Sequence, residues 1–399
     1  MTELHLWLRH EIRTTERRTP IVPADARRLV ESGVTLTVEE SPQRVFPIEA
    51  YEEAGCRVAK AGSWVSAPPE AVVVGLKELP DGPPALTHRH VFFGHAYKRQ
   101  PGAAALLRRF LAGGGALLDI EYLVHDDGRR LAAFGYWAGY LGAALAVLHH
   151  RGSLKAPLRP TSKEDLDAEL AAERGELRAL VIGALGRSGR GARVALGVAG
   201  VEPTSWDLAE TRELDRRALL AHELMVNTVL TTRPIPPFLT DEDLDEPGRR
   251  LRTLCDVTCD VGSPLNVLPI YDTTTDWTHP ARRIRERPAL DLIAIDNLPS
   301  LLPLEASVDF SAALLPQLLE FGVGGPWGRC LDRFHEACRA LEAEDAEEVA
   351  DAGVAEEAEK AEQAEKAEQA EKAEQAEKAE QAEKAEQAEK AEEGESRDV

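Results

Sequence analysis

Two short apolar runs in the first third of the chain each end in residues that can move protons. Ala71 to Val74 stops at Gly75, and Lys77 and Glu78 follow; Val91 to Phe93 stops at Gly94, and His95 and Lys98 follow. Runs of small and branched apolar residues read as strands buried on both faces. In open α/β sheets the carboxyl ends of the strands border the ligand crevice. This reading brings Lys77, His95 and Lys98 to one cleft. There, partial burial and neighbouring cations lower a lysine pKa towards neutrality, where histidine already titrates, a setting for proton transfer. Read singly, each is an ordinary solvated loop residue or a structural histidine.

A second signal follows another buried run, Leu177 to Ile182. Gly183, Gly186 and Gly189 stand as G-x-x-G-x-x-G before a short helix. Glycines let backbone amides approach a pyrophosphate, and the helix N-terminus favours its charge. The spacing departs from the usual G-x-G-x-x-G. Asp207 lies 24 residues after Gly183, beyond a further predicted strand. An acidic residue there meets the ribose hydroxyls of a dinucleotide and favours NAD over NADP. As a helix N-cap it would look the same in sequence.

The elements that must position these groups alternate. Strands are expected at Leu4–Leu8, Val34–Glu39 and Cys56–Val58, with a helix from Pro23 that stops at Gly33 and another ending at Tyr51–Gly55. A helix over Ala103–Ala112 precedes a buried strand, Ala116–Ile120, with Asp119 and Glu121 at its end. Glu121 there can bind a substrate cation or tune the nearby lysines. After the Asp127-Gly128 turn comes an apolar helix rich in glycine and alanine, then a short outer helix around Leu166 and Leu170. Strands are expected again at Leu251–Asp260 and Leu290–Ile295, and a helix at Ala306–Leu319. The pattern is α/β: two Rossmann-like domains with a cleft between them, plus a low-complexity acidic C-terminal tail.

The formal charge of the 399 residues is −22, but from Leu341 onward 23 acidic residues face 7 basic ones, so the body carries only −6. An acidic surface argues against nucleic acid as the main partner. The tail repeats AEKAEQ to about Lys390, with a Glu four residues before each Lys and nothing apolar larger than alanine. It reads as a solvated, partly helical arm with no coiled-coil heptad and an unknown partner. The five cysteines are not in a zinc spacing and read as reduced thiols. No signal peptide or membrane span is expected, so the reading is a cytoplasmic protein and a monomer.

The motifs GLKELP, FFGHAYKRQ, LLDIEYL and DDGRRLAAFG, in that order, resemble the NAD-dependent, lysine-forming saccharopine dehydrogenases, relatives of the alanine dehydrogenases. The resemblance runs from about Leu6 to Pro303 and leaves the tail uncovered. It implies a substrate domain over 1–135, joined by 310–341, an NAD-binding domain over 136–309, and the tail over 342–399. It implies Lys77 as the base and His95 as the acid/base. Arg18, Lys98 and Arg130 would offset substrate carboxylates, with Gln100, Glu121 and Phe134 also at the substrate. The implied NAD residues are Arg129, Gly183, Gly186, Arg187, Gly189, Asp207 and Thr211, then Leu230, Val257, Thr258, Cys259 and Asp260, and Ile295, Asp296, Asn297 and Leu298. The segment IDNLPSLLP carries Asn297 where the family has histidine, which leaves the role of that position open. The implied reaction converts saccharopine to L-lysine and 2-oxoglutarate. Two other readings stay open: a related dehydrogenase acting on another amine and oxo acid, and a catalytically silent NAD-binding module with an interaction tail.

Overall fold

The computed structural model describes residues 4–395 except Arg99, Pro101, Thr232 and Val323; the side chains of 349–356 and 388–395 lie outside the description. The chain forms two compact units, one through His335 and one from Glu336. In the first unit the amino-terminal part runs β1 (His5–Leu8), α1 (Pro23–Glu31), β2 (Thr35–Glu39), α2 (Ile48–Glu53), β3 (Arg57–Ala59), β4 (Val72–Val74), β5 (Arg89–Phe92), α3 (Ala103–Gly113) and β6 (Ala116–Asp119). All six strands are parallel, in the order β3-β2-β1-β4-β5-β6. The order reverses between β1 and β4, which makes their carboxyl ends the switch-point crevice.

The chain then passes through α4 (Gly135–His150), α5 (Lys163–Ala172), β7 (Ala179–Ile182), α6 (Arg187–Val198), β8 (Thr204–Trp206), α7 (Leu208–Arg212), α8 (Arg216–Leu220), β9 (Leu224–Asn227), α9 (Asp241–Leu244), β10 (Thr253–Asp256), β11 (Arg282–Glu286) and β12 (Ala289–Ile293). The second sheet has the order β11-β12-β10-β9-β7-β8, and its switch point falls between β7 and β9. Five of these strands are parallel; β11 pairs antiparallel with β12. The sequence reading had no strand at β11. Its residues, RRIRE, form a half-exposed edge strand with none of the apolar run that marks a buried one.

Each sheet has its own core. Residues Leu6, Leu36, Val72, Val74, Val91 and Leu118 pack with Phe310, Leu314 and Trp327, so α10 (Pro303–Leu319) and the start of α11 (Gly325–Glu395) lie against the first sheet. The second sheet packs with the buried face of α4 and with α6. These helices meet backbone to backbone, since a Cβ at Gly139 or Gly191 would overlap the backbone of Ser188 or Tyr136. The glycine and alanine content of α4 follows from that approach. Where the chain crosses between the sheets, Phe134 stacks on Phe310 with centroids 4.2 Å apart.

The expected strands at Leu251–Asp260 and Leu290–Ile295 are shorter in the structure. Asx turns end β9 and β10: Asn227 Oδ1 accepts the Val229 N–H at 3.2 Å, and Asp256 Oδ1 accepts the Thr258 N–H at 3.0 Å. The residues after β10, 257–259, and those after β12, 295–298, line the cavity with residues of the first sheet. The second unit is helix through Glu395. Its described side chains pair Glu362 with Lys366 and Glu374 with Lys378, each at 2.5 Å and four residues apart. Among the described residues no helix is long and apolar enough to cross a membrane.

His90 on β5 is fully buried among Trp64, Phe110, Phe92 and His88, and neither ring nitrogen has a hydrogen-bond partner among the described residues. Burial, then the nearby Arg9, His88 and Arg109, hold its pKa well below the usual value. The folded protein therefore keeps His90 neutral, whereas the unfolded chain takes up a proton below about pH 6.5. Stability should be unaffected by this group above that pH and fall as pH drops through it. Urea unfolding should show His90→Phe losing part of that acid sensitivity and gaining about 1 kcal/mol at pH 7.5 from the removed unpaired nitrogens. An unchanged difference between pH 5.5 and 7.5 would refute the assignment.

Candidate active site

A cavity of about 220 Å³ opens between the carboxyl ends of the two sheets. It is lined from the first sheet by Arg18, Lys77, Phe93, His95, Arg130 and Phe134. From the second side it is lined by Val257, Thr258, Cys259, Ile295, Asp296, Asn297 and Leu298. Three non-glycine residues among those described have positive φ: His95 at 49°, Cys259 at 50° and Asn297 at 70°. All three line this cavity. Left-handed backbone at such residues costs on the order of 1–3 kcal/mol each and clusters where function requires it.

Lys77 follows β4 at the switch point of the first sheet. Its ammonium has no hydrogen-bond or ion-pair partner among the described residues. Its pKa is lowered, first by burial and then by Arg18 and Arg13, against the opposing pull of Asp296. Arg13 bridges Glu78 at 2.9 Å and Asp296 at 3.1 Å, joining the end of β4 to the segment after β12. Arg18 is buried and forked onto Glu16 by bonds of 2.8 and 2.6 Å; its Nη2 also donates to Asn297 Oδ1. The guanidinium lies 4.0 Å from the centre of the Phe134 ring. One edge of Arg18 is thus committed to Glu16, and its Nη1 has no protein partner among the described residues. Arg130 likewise has no ion-pair partner among them.

His95 follows β5. Its backbone N–H donates to Asp119 Oδ2 at 3.2 Å, and its Nδ1 lies 3.6 Å from Glu121. Burial opposes ionisation of Glu121, yet the close approach of His95 and the hydrogen bond from Lys98 hold its pKa down to about 2. Lys98 is 2.7 Å from Glu121, and Gln100 accepts the Lys98 backbone N–H at 2.9 Å. Lys98, Gln100 and Glu121 thus form a group behind His95, outside the cavity lining. Arg129 is exposed and paired to Asp127 at 2.6 Å, also away from the lining.

The glycine turn leaves β7 for α6. Gly183 has a φ of 80°, Gly186 caps α6, and Gly189 is buried beneath the turn. A Cβ on Gly183 would lie 2.7 Å from the Thr228 hydroxyl, so position 183 has no room for a side chain. Arg187 donates to the Arg130 carbonyl at 3.1 Å. Asp207 ends β8, caps α7 and accepts the Leu185 N–H at 2.9 Å, which ties it to the turn; Thr211 donates to its carbonyl at 2.9 Å. Leu230 is exposed after β9, and Asp260 is half-buried in the turn after β10. Bare backbone N–H groups at a helix start, with an acid at the end of the next strand, fit a dinucleotide.

Asp256 escaped the sequence reading. It is fully buried and accepts from Asn227 at 3.0 Å, the Thr258 hydroxyl at 2.7 Å and Tyr271 at 2.7 Å. It holds the 257–260 turn that faces the cavity. Burial raises the pKa of Cys259 well above the usual thiol value, so Cys259 faces the cavity as a neutral thiol, donating to the Asp256 carbonyl.

Comparison with known proteins places this geometry. Residues 7–141 match the family model described as alanine dehydrogenase/PNT, N-terminal domain. A saccharopine dehydrogenase [NAD(+), L-lysine-forming] from Schizosaccharomyces pombe is 39% identical over 343 residues, spanning 80% of this chain and 93% of that protein. One from Neurospora crassa is 40% identical over 369 residues, spanning 85% and 97%. The chain belongs to the NAD-dependent, lysine-forming saccharopine dehydrogenase family. A solved L-alanine dehydrogenase, 16% identical and with a TM-score of 0.59, covers 84% of this chain and 94% of its own and shares the fold of two parallel-sheet domains.

The contacts of Asn297 define the place of a residue whose role the sequence left open. Here its amide accepts from Arg18 and donates to Ser300 at 3.1 Å, while Ser300 donates to Glu16 at 2.8 Å. Asparagine suits this position because it tolerates left-handed backbone. Asn297→Gly should keep the backbone and lose only hydrogen bonds. Asn297→Ala should be about 1 kcal/mol less stable than the glycine variant, because alanine resists positive φ. Denaturant unfolding showing equal or reversed stabilities would contradict this reading.

Proposed function

We propose that this protein catalyses the NAD-dependent, reversible oxidation of saccharopine to L-lysine and 2-oxoglutarate. The observation that carries the reading is an unpartnered Lys77 of lowered pKa facing His95, Arg18 and Arg130 in one cavity. Saccharopine is a secondary amine bearing three carboxylates. Arg130 and the free edge of Arg18 offset carboxylates and Phe134 helps to orient the substrate, while Lys98, Gln100 and Glu121 support His95 from behind. NAD is held by the glycine turn and the first turn of α6, with Asp207 and Thr211 at the ribose and the 257–260 and 295–298 segments along the cavity. When bound, NAD accepts a hydride from the carbon that becomes the keto carbon.

Lys77, in its neutral form, takes the proton from the secondary amine as that carbon is oxidised to an imine. Water adds to the imine carbon. His95 takes a proton from the adding water and passes it to the nitrogen, then takes the hydroxyl proton of the carbinolamine and passes that to the nitrogen as well, so the C=O bond forms, the C–N bond breaks and lysine leaves as the free amine. Because Lys77 must be neutral to accept a proton, oxidation slows as pH falls through its lowered pKa. The five free thiols, four of them buried, suit a reducing compartment, and we place the protein in the cytoplasm.

The direct test is NADH oxidation with lysine and 2-oxoglutarate, beside NADPH and other amine and oxo-acid pairs. Turnover is expected only with NADH, lysine and 2-oxoglutarate; turnover with a different pair alone would overturn the substrate assignment. Lys77→Met and His95→Gln should each lower turnover by about 10²–10⁴-fold while NAD binding persists. Near-normal rates in both would remove the acid–base roles. Asp207→Ala should weaken NAD binding, measured by fluorescence titration, and unchanged affinity would move the ribose contact elsewhere.

A further inference from the structure

Behind Lys77 lies a buried ion pair that touches the lysine only through its backbone. Arg9 and Glu11, just after β1, are 1% and 5% exposed and 3.3 Å apart. Glu11 accepts the backbone N–H of Leu76 at 2.7 Å and of Lys77 at 3.0 Å, one on each carboxylate oxygen. Arg9 donates through Nη2 to the carbonyl of Lys77, and its own backbone N–H donates to Val74 at 2.9 Å. Both peptide groups of Lys77 are therefore held from β1, across the switch point. Gly75 makes this possible, because a Cβ there would fall within 2.7 Å of three atoms of the Arg9 guanidinium.

A buried ion pair adds little net stability, and apolar residues of the same volume often serve as well. This pair instead fixes the φ and ψ of one residue whose side chain enters the cavity. We propose that Arg9 and Glu11, with Gly75 as the seat of the guanidinium, are positioning residues that hold Lys77 in the partly desolvated place its work as a base requires. The inference rests on the reading of Lys77 as that base. The motif is Arg-x-Glu after the first strand with Gly-x-Lys after the fourth, and of its named residues only Lys77 lines the cavity.

The test uses the full-length enzyme and five variants: Glu11→Gln, Arg9→Lys, Gly75→Ala, Lys77→Met and the double variant of Glu11→Gln with Lys77→Met. Glutamine replaces one accepting oxygen with a donor that opposes a backbone N–H. Gly75→Ala leaves every charge in place and displaces only the guanidinium, so it carries the test if Glu11→Gln does not fold. Glu11→Gln, Arg9→Lys and Gly75→Ala should lower kcat about tenfold or more, since small misplacements of a reacting group are that costly. Each should also move the acid limb of the kcat/KM profile upward by about half a pH unit or more, as the ammonium relaxes towards water. NAD affinity should stay within about twofold, because the clamp lies away from the glycine turn. In the Lys77→Met background, Glu11→Gln should add no further loss of rate.

An unmoved acid limb with wild-type kcat in Glu11→Gln and Gly75→Ala would overturn the proposal. So would an equal loss from Glu11→Gln with and without Lys77. If Lys77→Met alone kept near-normal turnover, the assignment of the base would fall, and the clamp with it.

Discussion

The ion pair of Arg18 and Glu16 is the constraint on which the cavity depends. It is withdrawn from water, yet Glu16 also takes the Ser300 hydroxyl and Arg18 also reaches Asn297, so residues from both sheets close around it. Its geometry matters more than its net energy: removing one partner of such a pair costs about 3–5 kcal/mol, mostly as an uncompensated buried charge. With Phe134 against its face, the guanidinium has one place to sit. That fixed positive charge is part of what lowers the pKa of Lys77. Substrate charge, lysine basicity and the approach of the two sheets are thereby coupled through one side chain.

A common device ends four of the strands. Buried acceptors take backbone N–H groups just past the last strand residue: Glu11 beyond β4, Asp119 beyond β5, Asn227 beyond β9 and Asp256 beyond β10. Each removes a donor from the ladder and turns the chain out of the sheet. Asp119, raised to about pKa 6 by burial, is the member closest to titration near neutral pH. The cavity is in this sense a set of interrupted strands, and the positive φ at His95 and Cys259 belongs to those interruptions.

Both sheets, most of their strands and the meeting of Lys77 with His95 were legible because parallel strands buried on both faces are written as unbroken apolar runs. The glycine turn was legible because its tight positions, Gly183 and Gly189, leave no room for a Cβ. What stayed hidden was polar. Arg9, Glu11 and Glu16 sit in RHEIRTTERR, a stretch whose composition reads as a solvated loop, and burial of such charges follows only from partners distant in sequence. Asp256 looked like the polar end of a strand, although four protein groups converge on it. The edge strand β11 carries three arginines in five residues, so it lacks the signal that identified its neighbours. Lys98 and Glu121 were rightly read as close to each other in space, but their mutual pairing sets them behind His95.

The repeat in the helix from Glu336 has a geometric consequence. Six residues advance an α-helix by about 9 Å and turn it by about 240°, so equivalent residues return to the same side only after about 18 residues, or five turns. Lysines 366, 372 and 378 therefore point in three directions about 120° apart, and 384 begins the cycle again. Within the repeat no side of the helix differs from another. Adding or deleting one repeat lengthens or shortens the rod without creating a seam or an apolar stripe. Slippage in the number of repeats is thus structurally silent, and the array is free to vary in length while its surface chemistry stays constant.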